Sequence, residues 1–116
     1  MAFEKVGFIG LGLIGGSIAK KLKSNLPGCT ILATAGHKET IETAYREGII
    51  ANSSLLELSD FRDCDHIFLC APVNKNIEYL AGLKPVIRKD CIITDVGSTK
   101  SEIHKAVTAL GLDHNF

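Results

Sequence analysis

The sequence predicts an α/β fold in which helices cover both faces of a doubly wound parallel sheet. Segments typical of strands and of helices alternate along the chain, the connections between them are short, and the strand-like runs are continuously apolar. Continuous apolar runs are typical of parallel strands, because crossover helices bury both of their faces. A chain of 116 residues fits one domain.

Apolar runs bounded by turn residues predict the strands. The predicted strands are residues 6–9, 29–35, 66–71 and 91–94, with a weaker candidate at 49–53. Residues 113–116 resemble the approach to another strand.

Helices are predicted between these strands from apolar residues at three- and four-residue spacing. Pro27-Gly28 ends the first helix, Gly48 and Gly111 suit the ends of two others, and residues 99–102 match a capping box that opens the last one. The apolar residues predicted to mark the helix faces are Ile14, Ile18 and Leu22; Ile41, Ala44 and Tyr45; Ile77, Leu80 and Ala81; and Ile103, Ala106, Val107 and Leu110.

Composition argues against several classes of protein. Thirteen basic residues balance thirteen acidic ones, which gives no support to a nucleic-acid or membrane-surface partner. The apolar segment 6–19 is too short to span a membrane and contains glycines. Cys29, Cys64, Cys70 and Cys91 form no C-x-x-C pair, so we expect inert core thiols in a reducing cytoplasm and no metal site. A disulfide or a redox role is the alternative.

The first strand leads directly into Gly10-Leu11-Gly12-Leu13-Ile14-Gly15, which fits G-x-G-x-x-G between a strand and a helix. Gly10 permits the tight turn, Gly12 lets the backbone approach a pyrophosphate, and Gly15 lets the helix pack near the strand. The helix N-terminus offers N–H groups and a positive dipole end to the phosphates. This pattern predicts a Rossmann-type dinucleotide site in which Leu13 and Ile14 also contact the cofactor; the alternative is a structural glycine-rich turn.

The end of the second strand bears on the choice of cofactor. An NAD-specific site usually has an acidic residue there to bind the ribose hydroxyls, but this sequence has Ala35. His37 and Lys38 follow, and these side chains together with Thr34 could bind a 2′-phosphate. The sequence therefore predicts that NADP is preferred, with NAD possible. The alternative is that Lys38 is a solvated residue at the helix start and His37 a loop residue.

A third feature is Asp95-Val96-Gly97-Ser98-Thr99-Lys100, at the carboxyl end of a predicted strand. Ligands of open α/β sheets bind at that edge. Position and composition leave a helix-capping role and an active-site role for Ser98 and Thr99 equally open.

Three blocks of the sequence together resemble the prephenate and arogenate dehydrogenases of tyrosine biosynthesis. They are residues 6–17, Ala71-Pro72-Val73 and residues 95–100, and the resemblance covers essentially the whole chain. It implies a small-molecule substrate and NAD(P)-dependent oxidative decarboxylation. In that reaction a hydride passes to the nicotinamide, carbon dioxide leaves and the substrate ring becomes aromatic.

The resemblance also assigns residues. Ser98 matches a catalytic serine that lies beside a proton-accepting histidine in an H-P-M-A-G block, and Ala71, Pro72 and Gly97 fall in the cofactor site. None of the four histidines of this chain stands in such a block. We therefore expect residues 1–116 to form the dinucleotide-binding domain. The histidine block and a helical, dimer-forming domain are expected beyond Phe116, and this chain alone is expected to be inactive.

Two other functions remain open from the sequence. One is the dinucleotide-binding domain of a hydroxyacid or imine-type reductase, which shares the glycine motif. The other is a non-catalytic dinucleotide-sensing module. The residues do not distinguish prephenate from arogenate as the substrate.

Overall fold

Four parallel strands form one sheet. The structure, a computed structural model, describes residues 4–96, 101–112 and 115. Its elements are β1 Lys5–Ile9, α1 Leu13–Asn25, β2 Thr30–Thr34, α2 Lys38–Arg46, a 3-10 helix at Leu58–Phe61, β3 His66–Leu69, α3 Val73–Leu83, β4 Ile92–Asp95 and α4 Ser101–Leu110. The strand order in the sheet is β2-β1-β3-β4.

Helices cover both faces of the sheet, as the sequence predicts. Val6 and Phe8 of β1 face one apolar cluster, which includes residues of α1 and α2. Ile9 faces a second cluster, which includes residues of α3 and α4. Because successive side chains of a strand point to opposite faces, the two clusters lie on opposite sides of one sheet. The doubly wound parallel architecture is therefore confirmed.

The weak strand candidate at residues 49–53 is wrong, because no strand forms there. This segment instead runs beside β2, where the Ala51 N–H donates to the Ile31 carbonyl at 2.7 Å. The Asn52 side chain accepts from the Ala33 N–H at 3.0 Å and donates to the Ala33 carbonyl at 2.9 Å. A side-chain amide thus replaces a strand's backbone along part of the β2 edge.

Three residues predicted to mark the apolar helix faces are exposed in the structure: Ile14, Tyr45 and Ala81, the last of these in α3. Tyr45 is 48% exposed, while Ile41 and Ala44 of the same helix are buried. Ile14 is 61% exposed, because it lies in the first turn of α1 beside the sheet edge rather than over the sheet. Ile18 and Leu22, farther along α1, are partly buried against the core.

The predicted helix ends agree with the structure where it describes them. Helix α1 ends at Asn25, before Pro27-Gly28. Gly48 and Gly111 follow α2 and α4 with positive φ angles of 75° and 70°, the conformation typical of glycine after a helix. The predicted capping box includes residues 99 and 100, which lie outside the described part of the chain, as do 113, 114 and 116.

All four cysteines are free, as predicted. Burial raises the pKa of Cys64 and of Cys70 to about 12, and that of Cys91 to about 11. Burial also raises the pKa of Cys29. Since the thiolate is the reactive form, the raised pKa values disfavour reaction of these thiols at neutral pH. Among the described residues, no helix has the length and apolar character that a membrane crossing needs.

Candidate functional site

The candidate site lies at the carboxyl edge, which is the edge where the parallel strands end. The glycine loop, residues 10–15, follows β1 at this edge, and Ala71 lies just beyond β3. Strand β1 lies between β2 and β3, which is where the strand order changes direction. Ligands of open α/β sheets bind outside the carboxyl ends of the strands at such a switch point.

Gly10 makes the turn out of β1 with a φ of 83°, a conformation that favours glycine. A Cβ on Gly10 would lie 2.7 Å from the Ala71 Cβ and 2.8 Å from the Ala71 nitrogen. The N–H groups of Gly10 and Leu11 both donate to the Thr34 carbonyl at 2.9 Å. The loop is therefore held against β2 on one side and packed closely against Ala71 on the other.

Gly12 precedes α1 and leaves the start of that helix open. Among the described residues, the nearest neighbour of a Cβ on Gly12 would be the Gly10 carbonyl oxygen, 3.9 Å away. No side chain caps the helix, and its first turn holds no acidic residue. The backbone N–H groups of the first turn have no partners within the helix, and they lie at the positive end of its dipole. This combination suits an anion such as a pyrophosphate.

Gly15 brings α1 close to the end of β3. A Cβ at Gly15 would meet the Cys70 sulfur at 3.0 Å and the Cys70 Cβ at 3.2 Å. The third glycine of the motif thus stands where α1 packs close to the end of β3, as the motif predicts. Leu13, whose backbone begins α1, and the exposed Ile14 lie between Gly12 and Gly15 at the site.

The residues predicted to select the cofactor follow β2. His37 is the N-cap of α2 and Lys38 is its first residue, and both side chains are exposed. Thr34 is partly buried, and its hydroxyl donates to the Leu56 carbonyl at 3.3 Å. Its hydroxyl hydrogen is therefore already engaged within the protein.

A groove of about 580 Å³ runs from Gly12 between α1 and α2. Its charged residues are Lys20 of α1, Glu39 of α2 and Glu47, which follows α2 directly. Glu39 comes directly after Lys38, so the first turn of α2 contains an acidic residue as well as the basic one. Glu39 was not among the residues predicted to select the cofactor.

Asn76 is a further residue at this edge that the sequence patterns did not predict. It lies in the first turns of α3 and is fully buried. Its Nδ2 donates to the Ala71 carbonyl at 2.8 Å and to Asp95 Oδ1 at 3.0 Å, and its Oδ1 accepts from the Ala71 N–H at 3.2 Å. One feature of the sequence could have indicated Asn76: it is an amide side chain in a helix that directly follows a buried strand.

The third sequence block is only partly described. Asp95 ends β4 and is 6% exposed, and the Val96 N–H donates to the Leu69 carbonyl at 3.1 Å. Gly97 and Ser98 lie outside the described residues. Pro72 is the exposed N-cap of α3, directly after Ala71.

A family model and curated relatives identify the family of this chain. Residues 18–116 match the family described as "Prephenate dehydrogenase, nucleotide-binding domain". The prephenate dehydrogenase of Lactococcus lactis subsp. cremoris is 39% identical over 101 residues, which cover 86% of this chain and 28% of that protein.

Solved structures give the same result. The prephenate dehydrogenase from A. aeolicus in complex with hydroxyphenyl propionate and NAD+ has a TM-score of 0.86 and 28% identity, over 100% of this chain and 41% of that one. The Synechocystis arogenate dehydrogenase has a TM-score of 0.79 and 31% identity, over 91% of this chain and 37% of that one. This chain therefore spans well under half the length of these relatives. Its sequence, its fold and its glycine loop agree: the chain belongs to the prephenate dehydrogenase family, as the nucleotide-binding domain of that family.

Proposed function

We propose that the carboxyl edge of this sheet binds a nicotinamide dinucleotide, with the pyrophosphate over the glycine loop. The observation that carries the proposal is the open start of α1: Gly12 leaves space above the backbone, and no side chain among the described residues caps the N-terminal N–H groups. The N–H groups of Leu13, Ile14 and Gly15 are the donors that an anion would meet there.

The strand order predicts where each half of the dinucleotide would lie. Each half of a doubly wound sheet binds one mononucleotide, and the two halves meet at the switch point. Adenosine would lie toward β2, near Thr34, His37 and Lys38. The nicotinamide half would lie toward β3 and β4, near Ala71, Pro72 and Gly97.

The activity of the protein that contains this chain is part of the proposal. We infer NAD(P)-dependent oxidative decarboxylation of prephenate or arogenate in the cytoplasm. The bound nicotinamide supplies a hydride acceptor. Residues 1–116 would form the cofactor domain, and Ser98 would contact the reacting end of the substrate beside the proton acceptor. A helical domain outside these residues would complete the substrate site and pair two subunits.

We also propose that NADP is preferred over NAD. Lys38, and His37 when protonated, are exposed at the start of α2, where the helix dipole also favours an anion. A charge-assisted hydrogen bond contributes about 1.5–3 kcal/mol, enough for a tenfold preference. Glu39 opposes this preference, because its carboxylate would repel a 2′-phosphate. The A. aeolicus relative was solved with NAD+, so a dinucleotide without that phosphate binds within the family.

Titration of the chain with NAD+ and NADP+ at low salt tests both proposals. We expect both dinucleotides to bind and NADP+ to bind about tenfold more tightly. Lys38→Ala should remove most of that preference, and Glu39→Gln should increase it, since each changes one charge near the 2′-position. Equal affinities, or tighter binding of NAD+, would contradict the preference. Absence of binding by either dinucleotide would contradict the site.

A further inference from the structure

Asn76 connects the carboxyl ends of two neighbouring strands through one buried amide. Both Nδ2 donors are used, one by the Ala71 carbonyl that follows β3 and one by the Asp95 carboxylate that ends β4. The Oδ1 atom accepts from the Ala71 N–H, so the amide pairs with both polar backbone groups of that residue. A buried amide with these partners fixes the two strand ends relative to each other, because its removal would break three hydrogen bonds at once.

Ala71 extends this connection to the glycine loop. The space that a Gly10 side chain would need is taken by the Ala71 backbone and Cβ, at 2.7–3.0 Å. The path Gly10–Ala71–Asn76–Asp95 therefore crosses the carboxyl edge from β1 to β4. Asp95 is the first residue of the block that contains Gly97 and Ser98.

We propose that Asn76 is a positioning residue that sets the nicotinamide-binding half of the site relative to the glycine loop. It acts through Ala71 and Asp95 and is itself buried away from the ligand. This role rests on the proposed dinucleotide site, in which the nicotinamide half lies over β3 and β4. The glycine loop has a separate anchor, since Gly10 and Leu11 donate to the Thr34 carbonyl. Loss of the Asn76 amide should therefore disturb the nicotinamide half and spare the pyrophosphate and adenosine contacts.

The test compares each reduced dinucleotide with the fragment that lacks its nicotinamide. NADH is paired with ADP-ribose, and NADPH with the 2′-phosphate of ADP-ribose. In Asn76→Leu, which is close in size but has no polar atoms, we expect affinity for the dinucleotides to fall about tenfold. Affinity for the fragments should stay within about twofold. The fluorescence change of the bound reduced nicotinamide should also become smaller, because the ring is held less firmly.

A second variant keeps the test available if Asn76→Leu does not fold. Asn76→Ser keeps a small polar side chain at the buried site, but one hydroxyl cannot replace the three hydrogen bonds of the amide. We expect the same fall in affinity for the dinucleotides relative to the fragments.

Asn74 provides the matched control, because it lies in the first turn of the same helix with its side chain exposed. Asn74→Leu and Asn74→Ser should leave the dinucleotide-to-fragment ratio unchanged. A folded Asn76 variant with an unchanged ratio would overturn the role of Asn76 but not the proposed dinucleotide site. Failure of the unmodified chain to bind either dinucleotide would overturn the proposed site and this role together.

Discussion

At the residue scale, the three glycines of the loop meet different physical demands. Gly10 needs a positive φ and has no room for a side chain. Gly12 has a φ of −136° and open space around it, so the fold itself does not require glycine there. Gly15 lies close to Cys70 and lets α1 approach β3. The glycine that the fold least requires is therefore the one that leaves room for a ligand.

This contrast predicts opposite outcomes for two substitutions. Gly12→Val should fold normally but lose dinucleotide affinity by at least about a hundredfold, or about 2.8 kcal/mol, because its side chain would occupy the pyrophosphate space. Gly10→Ala should instead lower the free energy of unfolding by roughly 1–3 kcal/mol through backbone strain, with clashes against Ala71 adding to the loss. Calorimetric titration and urea unfolding measure the two effects.

Gly16→Ala is the control for both substitutions, because a Cβ there meets nothing within 4 Å. Undiminished binding by a folded Gly12→Val protein would show that the loop does not hold the phosphates.

Protonation of His66 makes the stability of the folded chain depend on pH. The ring is buried, its Nε2 lies 2.8 Å from the Thr94 hydroxyl, and it stacks on Phe68. Burial lowers the pKa of His66 in the folded state, and the opposing effect of Asp65 is smaller. The unfolded chain therefore takes up the proton first. The contribution of the neutral His66 ring to the stability of the fold is fully present above the unfolded pKa of about 6.5. It is lost as the pH falls below that value.

We expect the urea midpoint to fall between about pH 7 and pH 5, and this fall to be smaller in His66→Gln. His37→Gln is the control, because His37 is exposed. Equal pH dependence in the unmodified chain and in His66→Gln would assign the effect to other groups.

At the scale of elements, β2 lies at the edge of the sheet, and the segment beside it forms hydrogen bonds with its backbone without being a strand itself. An exposed strand edge presents unpaired backbone groups that can recruit other chains. Here Asn52 pairs with both backbone groups of Ala33 and also donates to the Ser54 carbonyl at 2.9 Å. The segment thus protects part of the edge with a side chain.

Asn52→Ala should lower the free energy of unfolding by about 1–3 kcal/mol, because Ala33 loses its partners. The denaturant midpoint should shift while the slope stays constant. Asn74→Ala, at an exposed site, should leave the midpoint nearly unchanged. If Asn52→Ala is as stable as the unmodified chain, water replaces the amide without loss and the edge does not depend on it.

At the scale of the whole molecule, this chain is a nucleotide-binding domain that spans 41% of its A. aeolicus relative. We expect it to bind dinucleotide but not to oxidise prephenate or arogenate by itself, because its sequence contains no block like the one that holds the family's proton-accepting histidine. Absorbance of reduced dinucleotide measures turnover. Turnover by this chain at about 1 per second or faster would contradict the prediction.

The same assay on a longer protein that includes this chain and the histidine block tests Ser98. Ser98→Ala should lower kcat more than it weakens dinucleotide binding, because a lost hydrogen bond would disturb the orientation of the base. A loss of thermal stability with kcat unchanged would identify Ser98 as a helix cap.

The sequence by itself determined the alternation of strands and helices, the glycine loop and the family of this protein. Each depends on residues that are close together in the chain. Hydrophobic periodicity sets the elements, and the glycines directly set backbone conformations such as the positive φ at Gly10, Gly48 and Gly111. Three short blocks of the sequence resemble the prephenate and arogenate dehydrogenases, and the comparisons confirm the family.

Only the tertiary structure decided which distant residues meet at the carboxyl edge. The amide of Asn76 joins Ala71 to Asp95, which lies nineteen residues after Asn76 in the chain. Likewise, Asn52 replaces the predicted strand because it reaches Ala33, and Tyr45 stays exposed although it lies next to the buried Ala44. Local patterns do not reveal these outcomes, because burial and hydrogen-bond partners depend on where elements far apart in sequence come to lie side by side.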